Sequence, residues 1–219
     1  MLKAVIFDMD GLLIDSEPIW QKSEIEIFSK LGVPLTREMC MQTMGLRLDE
    51  VIEHWHKRFP WENKPHKEVE KEVVDTVIRY ILSEGKAMEG VIETLEFFKA
   101  INYKVALASS SCFDIIHAVV DKLGIREYFQ VIHSAEKEEY GKPHPAIYIS
   151  TAHLLGVKPV ECIAFEDSFN GLIAAKAARM KAVAVPDAVH FNQARFDFAD
   201  LKIRSLKEFS NEKLKQLDS

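Results

Sequence analysis

Residues 5–16 read VIFDMDGLLIDS, an apolar run that turns abruptly into acidic residues and a glycine. The β-branched and aromatic side chains at its start are typical of a buried strand. Asp8 and Asp10 follow, two residues apart, although like charges repel each other and each carboxylate prefers water. A bound cation would make this arrangement favourable, and carboxylate oxygens are ligands that Mg²⁺ prefers. The stretch therefore predicts a strand that ends at a metal site.

Short apolar runs recur along the rest of the chain and predict further strands. Each is almost continuously apolar, as expected of strands that are covered on both faces of a parallel sheet. They cover residues 103–108, 130–134, 162–166 and 181–186. Between them, residues 91–100, 113–124 and 145–156 repeat apolar side chains at helical spacing. This alternation predicts an α/β fold with a doubly wound, Rossmann-like parallel sheet.

The segment between the first two predicted strands is much longer than a simple crossover requires. It shows only helical periodicity. Candidate helices cover residues 18–31, 47–58 and 66–84. We therefore predict that residues 17–86 form a small inserted helical cap domain. The core domain would then consist of residues 1–16 and 87–219.

The composition narrows the possible partners. The chain has 219 residues, is 47% hydrophobic and carries a net charge of −6, so a sizeable core is expected. The negative net charge argues against binding to nucleic acid or anionic membranes, because both need a basic surface. No apolar run approaches the length of a membrane span, and neither a secretion signal nor a disulfide framework is expected. We expect a cytoplasmic monomer.

Polar side chains that bind phosphate or metal follow several of the predicted strands. They are Ser109 and Ser110 after the second strand, Lys142 beyond the third, and Glu166 and Asp167 at the fourth. Ligands in open parallel sheets bind beyond the carboxyl ends of the strands, so these groups should meet beside Asp8 and Asp10. Hydroxyl groups and a lysine bind phosphate oxygens, one carboxylate can act as a nucleophile, and another can carry protons. This combination of carboxylates, hydroxyl groups and a lysine predicts metal-assisted phosphoryl transfer to an aspartate.

Four motifs carry a resemblance to a known family. They are FDMDG at residues 7–11, ALASSS at 106–111, GKPHP at 141–145 and FEDS at 165–168. In order and spacing they resemble the haloacid dehalogenase-like hydrolase superfamily, over nearly the whole chain. The closest resemblance is to its sugar phosphatase and β-phosphoglucomutase group, especially the bacterial 2-deoxyglucose-6-phosphatase and hexitol phosphatase branch. This implies a Mg²⁺-dependent phosphatase that hydrolyses small sugar or sugar-alcohol phosphates through an aspartyl-phosphate intermediate.

The resemblance also implies roles for the acidic residues. Asp8 would be the nucleophile that attacks phosphorus. Asp10 would protonate the leaving alcohol and then deprotonate the hydrolytic water. The Asp8 carboxylate, the Asp10 backbone carbonyl and Asp167 would hold Mg²⁺, with Glu166 supporting the metal site.

Further residues would bind the substrate. Ser109 and Ser110 would bind the phosphoryl oxygens, and Lys142 would neutralise charge between the nucleophile and the phosphate. Gly45 and Arg47 lie where the family's cap carries its substrate-specificity loop. An alternative for Arg47 is a structural place in the exposed first turn of the helix predicted at residues 47–58.

Three alternative functions are weighed against the phosphatase. Dehalogenases of the superfamily lack the second acid, so the presence of Asp10 disfavours them. The β-phosphoglucomutases have a histidine where this chain has Trp20, and an indole cannot accept a proton, which favours transfer to water. Trp20 either contacts the substrate or packs as an anchor in the cap. A non-catalytic phosphosugar-binding module is disfavoured because the acidic residues and Lys142 are all present.

Overall fold

The computed structural model describes residues 1–218 and is built around one parallel sheet. Its strands are β1 (Ala4–Phe7), β2 (Lys104–Ser109), β3 (Val131–Ser134), β4 (Cys162–Glu166), β5 (Lys181–Ala184) and β6 (Leu201–Lys202). They lie in the order β3-β2-β1-β4-β5-β6, and all neighbouring pairs are parallel. The predicted α/β fold is confirmed. We did not predict β6, because two residues are too few for a recognisable pattern.

The central position of β1 determines where the acidic turn lies. Phe7, the last residue of β1, is level with Leu107 in β2 and with Phe165 in β4. The residues that follow in the two acidic strands, Asp8 and Glu166, therefore lie beside each other at the carboxyl edge of the sheet. Parallel sheets bind their ligands at this edge.

Helices cover both faces of the sheet. They are α5 (Val91–Ala100), α6 (Phe113–Leu123), α7 (Ala146–Leu154), α8 (Phe169–Ala177) and α9 (Asn211–Asp218). Because side chains alternate along a strand, β1 contributes to two separate cores. Val5 and Phe7 belong to the core that contains apolar residues of α5, α6 and α9. Ala4 and Ile6 belong to the core under α7 and α8.

Four helices between β1 and α5 make up what we call the helical insert. They are α1 (Glu17–Lys30), α2 (Arg37–Cys40), α3 (Leu48–Arg58) and α4 (His66–Glu84). Val69, Val73, Val77 and Ile81 of α4 are all buried, as their four-residue spacing predicts. The helix α4 packs against α1 of the insert and α6 of the sheet layer. We did not predict α2, which is a single turn.

The two segments that link the sheet to the helical insert, residues 13–15 and 86–88, run side by side. The amide of Asp15 donates a hydrogen bond to the carbonyl of Lys86 at 3.0 Å, and the amide of Met88 donates one to Leu13 at 3.0 Å. The insert is therefore attached by a narrow pair of segments next to the acidic turn. Within residues 1–218, no helix combines the length and the apolar character that crossing a bilayer requires.

Candidate active site

A buried lysine joins two acidic residues at the carboxyl edge of the sheet. The Nζ atom of Lys142 donates hydrogen bonds to Asp8 Oδ1 at 2.7 Å and to Glu166 Oε1 at 2.6 Å. Lys142 is only 2% exposed, and Glu166 is fully buried. Lysine is almost never buried to this extent unless it is paired, because removing its charge from water is costly. The two carboxylates therefore hold the ammonium group in place.

Burial shifts the ionisation of this group. The pKa of Asp8 is raised to about 7 because burial disfavours its carboxylate and Glu166 repels it, although Lys142 opposes both effects. Burial and the Asp8 charge raise the pKa of Asp167 well above its usual range. Burial alone would lower the pKa of Lys142, but its attraction to Asp8 and Glu166 raises it. If all three carboxyls were ionised, one lysine would leave an excess of negative charge, and the raised pKa values of Asp8 and Asp167 reflect this repulsion.

The excess negative charge has the geometry of a metal site. Carboxylate oxygens of Asp8, Glu166 and Asp167 lie within 4.8 Å of one another, and we call these three residues the acidic cluster. Gly11 has a φ of +70°, and a Cβ atom there would lie 2.2 Å from Asp167 Oδ2. Only glycine therefore lets the acidic turn approach Asp167 so closely. Hard oxygen donors of this kind fit Mg²⁺, and a divalent ion would balance the cluster.

Glu166 is held from several directions. The Tyr148 hydroxyl donates a hydrogen bond to Oε1, the oxygen that also accepts from Lys142. The Ser168 hydroxyl donates to Oε2 at 3.2 Å. On the remaining side, a Cβ atom at Gly171 of α8 would lie 2.0 Å from Oε1. Glu166 is therefore held rigidly and supports Lys142, which in turn contacts Asp8.

Asp10 has a different environment from Asp8. Its Oδ1 atom accepts hydrogen bonds from the Ser16 hydroxyl at 2.7 Å and from Trp20 Nε1 at 2.8 Å. Its Oδ2 atom accepts from the Ser111 hydroxyl at 2.7 Å and from Ser109 at 3.3 Å. These donors come from β2, its following loop, α1 and its N-cap. The carboxylate is thereby oriented by both the sheet and the helical insert.

A cavity of about 610 Å³ lies between the sheet edge and the helical insert. Its volume is typical of pockets for small molecules. Asp8, Asp10 and Lys142 line one end, and Trp20 and Glu24 of α1 are among the insert residues that line the rest. A ligand whose phosphate lay at the sheet edge would therefore place its remaining atoms against the insert.

Polar contacts connect the insert to the sheet layer around this cavity. Arg47 Nη1 donates to the carbonyl of Glu138 at 2.8 Å, and Nη2 donates to Asp49 Oδ2 at 2.9 Å. The Ser110 hydroxyl donates to the carbonyl of Gly45 at 3.1 Å. Arg47 and Ser110 thus bridge the two layers, an arrangement that the sequence did not predict.

Glu24 is a buried acidic residue of α1 that sequence reasoning missed. It is 6% exposed, and within residues 1–218 its Oε2 atom has no hydrogen-bond partner. Burial raises its pKa to about 7, an effect that a hydrogen bond from Cys40 partly offsets. An acidic residue at an apolar position of a helical pattern is the one signal that could have revealed it.

Residues 5–185 match the family of haloacid dehalogenase-like hydrolases. The chain belongs to this family. Hexitol phosphatase B of Escherichia coli (strain K12) is 41% identical over 208 residues, which cover 94% of each chain. A phosphorylated carbohydrates phosphatase of Thermotoga maritima is 31% identical over 83% of this chain and 84% of the relative.

Solved structures of haloacid dehalogenase-like proteins share the fold. The β-phosphoglucomutase from Clostridium difficile superposes with a TM-score of 0.87 at 25% identity, covering 100% of this chain and 98% of that protein. The resemblance predicted from the motifs is confirmed by these matches. The predicted enzyme class, a phosphoric monoester hydrolase, is confirmed as well.

The predicted site residues of this haloacid dehalogenase-like hydrolase all line the cavity or contact residues that do. Those lining it are Asp8, Asp10, Trp20, Gly45, Arg47, Ser109, Ser110, Lys142 and Asp167. Glu166 lies behind them and contacts Lys142. Their catalytic, metal-binding and substrate-binding roles stay predictions. The sequence analysis did not predict the hydrogen bonds that Ser16 and Ser111 donate to Asp10, although Ser111 is the last residue of the ALASSS motif.

Proposed function

We propose that this protein is a Mg²⁺-dependent phosphatase of small sugar or sugar-alcohol phosphates and works through an aspartyl-phosphate intermediate. Hexitol phosphates and 2-deoxyglucose 6-phosphate are the representative substrates. The observation that carries the proposal is the buried 2.7 Å contact between Lys142 and Asp8, next to the acidic cluster and open to the cavity. This contact supports the proposal because it brings a carboxylate that can act as a nucleophile and a fixed cation, next to carboxylates that suit a metal, to one end of a substrate-sized space.

The first step is the attack of an Asp8 carboxylate oxygen on the phosphorus atom of the bound ester. The bond between phosphorus and the ester oxygen breaks, and the leaving alkoxide takes a proton from Asp10. Lys142 compensates the negative charge of the transferring oxygens, which is the main task in phosphoryl transfer. In the second step, Asp10 removes a proton from water, which attacks phosphorus and releases phosphate and free Asp8.

The acidic cluster supplies the residues for the metal. Asp8 and Asp167 would bind Mg²⁺ through their carboxylates and Asp10 through its backbone carbonyl, with Glu166 supporting them. When bound, Mg²⁺ would neutralise phosphate oxygens and the excess charge of the cluster. Lys142 keeps Asp8 oriented beside it, because both contacts of the ammonium group are short and buried.

Several observations support a small phosphorylated polyol as substrate. The cavity is of the right size, and its polar and apolar lining suits a molecule with hydroxyl groups. The relative with 41% identity is named a hexitol phosphatase. We also propose that residues 17–86 act as a cap over this site, which their narrow attachment and their contribution to the cavity support.

Trp20 favours hydrolysis over a mutase reaction. Its Nε1–H donates to Asp10 at 2.8 Å, and the indole offers no second site that could take up a proton. A mutase must return the phosphate to a substrate hydroxyl, whereas a phosphatase needs only water at Asp10. The mutase reaction is the second candidate, because the fold is shared with β-phosphoglucomutase. The experiment below therefore includes an assay for it.

The decisive experiment is a phosphate-release screen with Mg²⁺ over a panel of phosphorylated sugars and polyols. We expect turnover of hexitol phosphates and hexose 6-phosphates, and none by the Asp8→Asn variant. β-Glucose 1-phosphate should be assayed for isomerisation in parallel. Isomerisation faster than hydrolysis would establish the mutase instead. Inertness of the whole panel and of p-nitrophenyl phosphate would contradict catalysis and leave a phosphosugar-binding module.

A further inference from the structure

Glu24 lies away from the predicted phosphate end of the cavity, on the same helix as Trp20. Trp20 contacts Asp10, and Glu24 follows it by four residues, so the two side chains share one face of α1, about 6 Å apart along the axis. Asp8 and Glu24 line the same cavity of about 610 Å³, which has room for a hexose-sized chain attached to a phosphate at Asp8. The part of the substrate farthest from the phosphate would therefore meet Glu24.

The Glu24 carboxyl is incompletely satisfied by the protein. The Cys40 thiol donates a weak hydrogen bond to it, but Oε2 has no partner within residues 1–218. A buried carboxylate oxygen without a donor is costly, and glutamate is almost never buried unless it is paired. A ligand hydroxyl at this end of the cavity would supply the missing donor.

The acidic lining of the cavity is unsuited to a second anion. Besides Asp8, Asp10 and Asp167, the cavity lining includes the acidic side chains of Asp49, Glu70, Glu136 and Glu139. The basic side chains there are few. The Arg47 guanidinium is already bonded to Asp49 and to backbone carbonyls, and His66 and Lys67 are exposed at the start of α4. Within residues 1–218, a second phosphate group beside Glu24 would therefore find no buried cation in the lining other than Lys142 and the already bonded Arg47.

We infer that Glu24 determines substrate specificity: it accepts a hydrogen bond from a hydroxyl of the uncharged end of the substrate and excludes a second phosphate there. This inference rests on the proposed phosphatase function and makes it more specific, because it selects monophosphates over bisphosphates. It also opposes a mutase reaction. A phosphoryl group that is returned to another hydroxyl of a monophosphate passes through a bisphosphate, and that bisphosphate must place one phosphate at the far end.

The test compares three substrates at pH 8, where Glu24 is ionised. Fructose 6-phosphate and fructose 1,6-bisphosphate differ only in the second phosphate, and p-nitrophenyl phosphate has no hydroxyl groups. For the Glu24→Gln variant we expect the ratio of kcat/KM for the bisphosphate to that for the monophosphate to rise about tenfold or more. For Glu24→Leu we expect kcat/KM for fructose 6-phosphate, relative to p-nitrophenyl phosphate, to fall about tenfold or more.

Glu26→Gln is the matched control. Glu26 lies on the same helix but outside the cavity lining, where it bonds to Tyr80 at 2.9 Å. Its replacement changes the same charge and should leave both ratios within twofold of the wild type. If the Glu24 variants also stay within twofold while the wild type hydrolyses all three substrates, the specificity inference is overturned and the phosphatase stands. If the wild type hydrolyses none of these three substrates and no member of the phosphate-release panel, the proposed function and this inference both fail.

Discussion

Replacing Glu24 by glutamine should stabilise the protein at pH 8 and have little effect at pH 5. Glu24 is buried, and burial raises its pKa from the usual 4.5 to about 7. The folded state therefore holds this proton more tightly than the unfolded chain does. The contribution of Glu24 to stability is most favourable below pH 4.5 and is lost as the pH rises towards 7. Glutamine has nearly the same shape and does not ionise, so it avoids this loss.

The magnitude follows from the two pKa values. The gap between 4.5 and about 7 corresponds to about 3 kcal/mol of unfolding free energy at pH 8. At pH 5 the unfolded carboxyl is itself only partly ionised, and the same relation gives less than about 1 kcal/mol. For a protein of this size, about 3 kcal/mol raises Tm by about 6–12 °C. Glu24→Gln should therefore raise Tm by several degrees more at pH 8 than at pH 5.

Thermal and urea unfolding at both pH values would measure this difference. Glu26→Gln provides the control, because the Tyr80 hydroxyl lowers the pKa of Glu26 and its loss should give no stabilisation at pH 8. An equal Tm shift of Glu24→Gln at both pH values would refute the reasoning, as would a decrease at pH 8. If the glutamine variant is both more stable and less selective, the protein keeps a destabilising carboxylate for the sake of specificity.

The remaining predictions concern the catalytic residues. Asp8→Asn should abolish turnover, and mass spectrometry should detect no phosphoenzyme, because an amide is a poor nucleophile; residual phosphoenzyme on the variant would contradict the role of Asp8. Lys142→Ala should lower kcat at least about a hundredfold in steady-state assays and destabilise the fold by about 3–5 kcal/mol in urea, since it leaves two buried carboxylates unpaired; near-normal kinetics would refute this. Trp20→Phe should lower kcat about tenfold or more with a smaller change in KM, because Asp10 loses a donor; an unchanged kcat would show that the contact is only structural. Chelation of Mg²⁺ should abolish activity reversibly and lower Tm, because the acidic cluster loses its counter-charge; a Tm indifferent to Mg²⁺ would argue against a metal there.

The position of the polar residues at the strand ends could be predicted from the sequence. Asp8, Ser109 and Glu166 each end or follow an apolar strand, and a parallel sheet brings such ends to one edge whatever the rest of the chain does. The helix α4 was also predictable, because its buried valines repeat with a clear helical period. These features depend on local sequence and on the general geometry of α/β folds.

The direction of individual side chains in the helical insert could not be predicted. The sequence offered two places for Trp20, against the substrate or in the insert core, and did not predict that its indole donates to Asp10 while lining the cavity. It offered Arg47 as a substrate ligand or as part of the exposed first helix turn, and did not predict that the guanidinium bonds carbonyls of the sheet layer while lining the cavity. Glu24 looked like an ordinary helix residue. Each outcome depends on how the insert packs over the sheet, which no local pattern encodes.

The close packing of α8 on Glu166 has a consequence for interpreting sequence variation. Gly171 has no functional group and lies in an ordinary-looking helix turn, so a survey of chemically reactive positions would pass over it. A methyl group there would occupy the space of the Glu166 carboxylate and push it away from Lys142. An alanine allele at this codon would thus behave as a loss-of-function allele, although every reactive group of the enzyme would still be encoded.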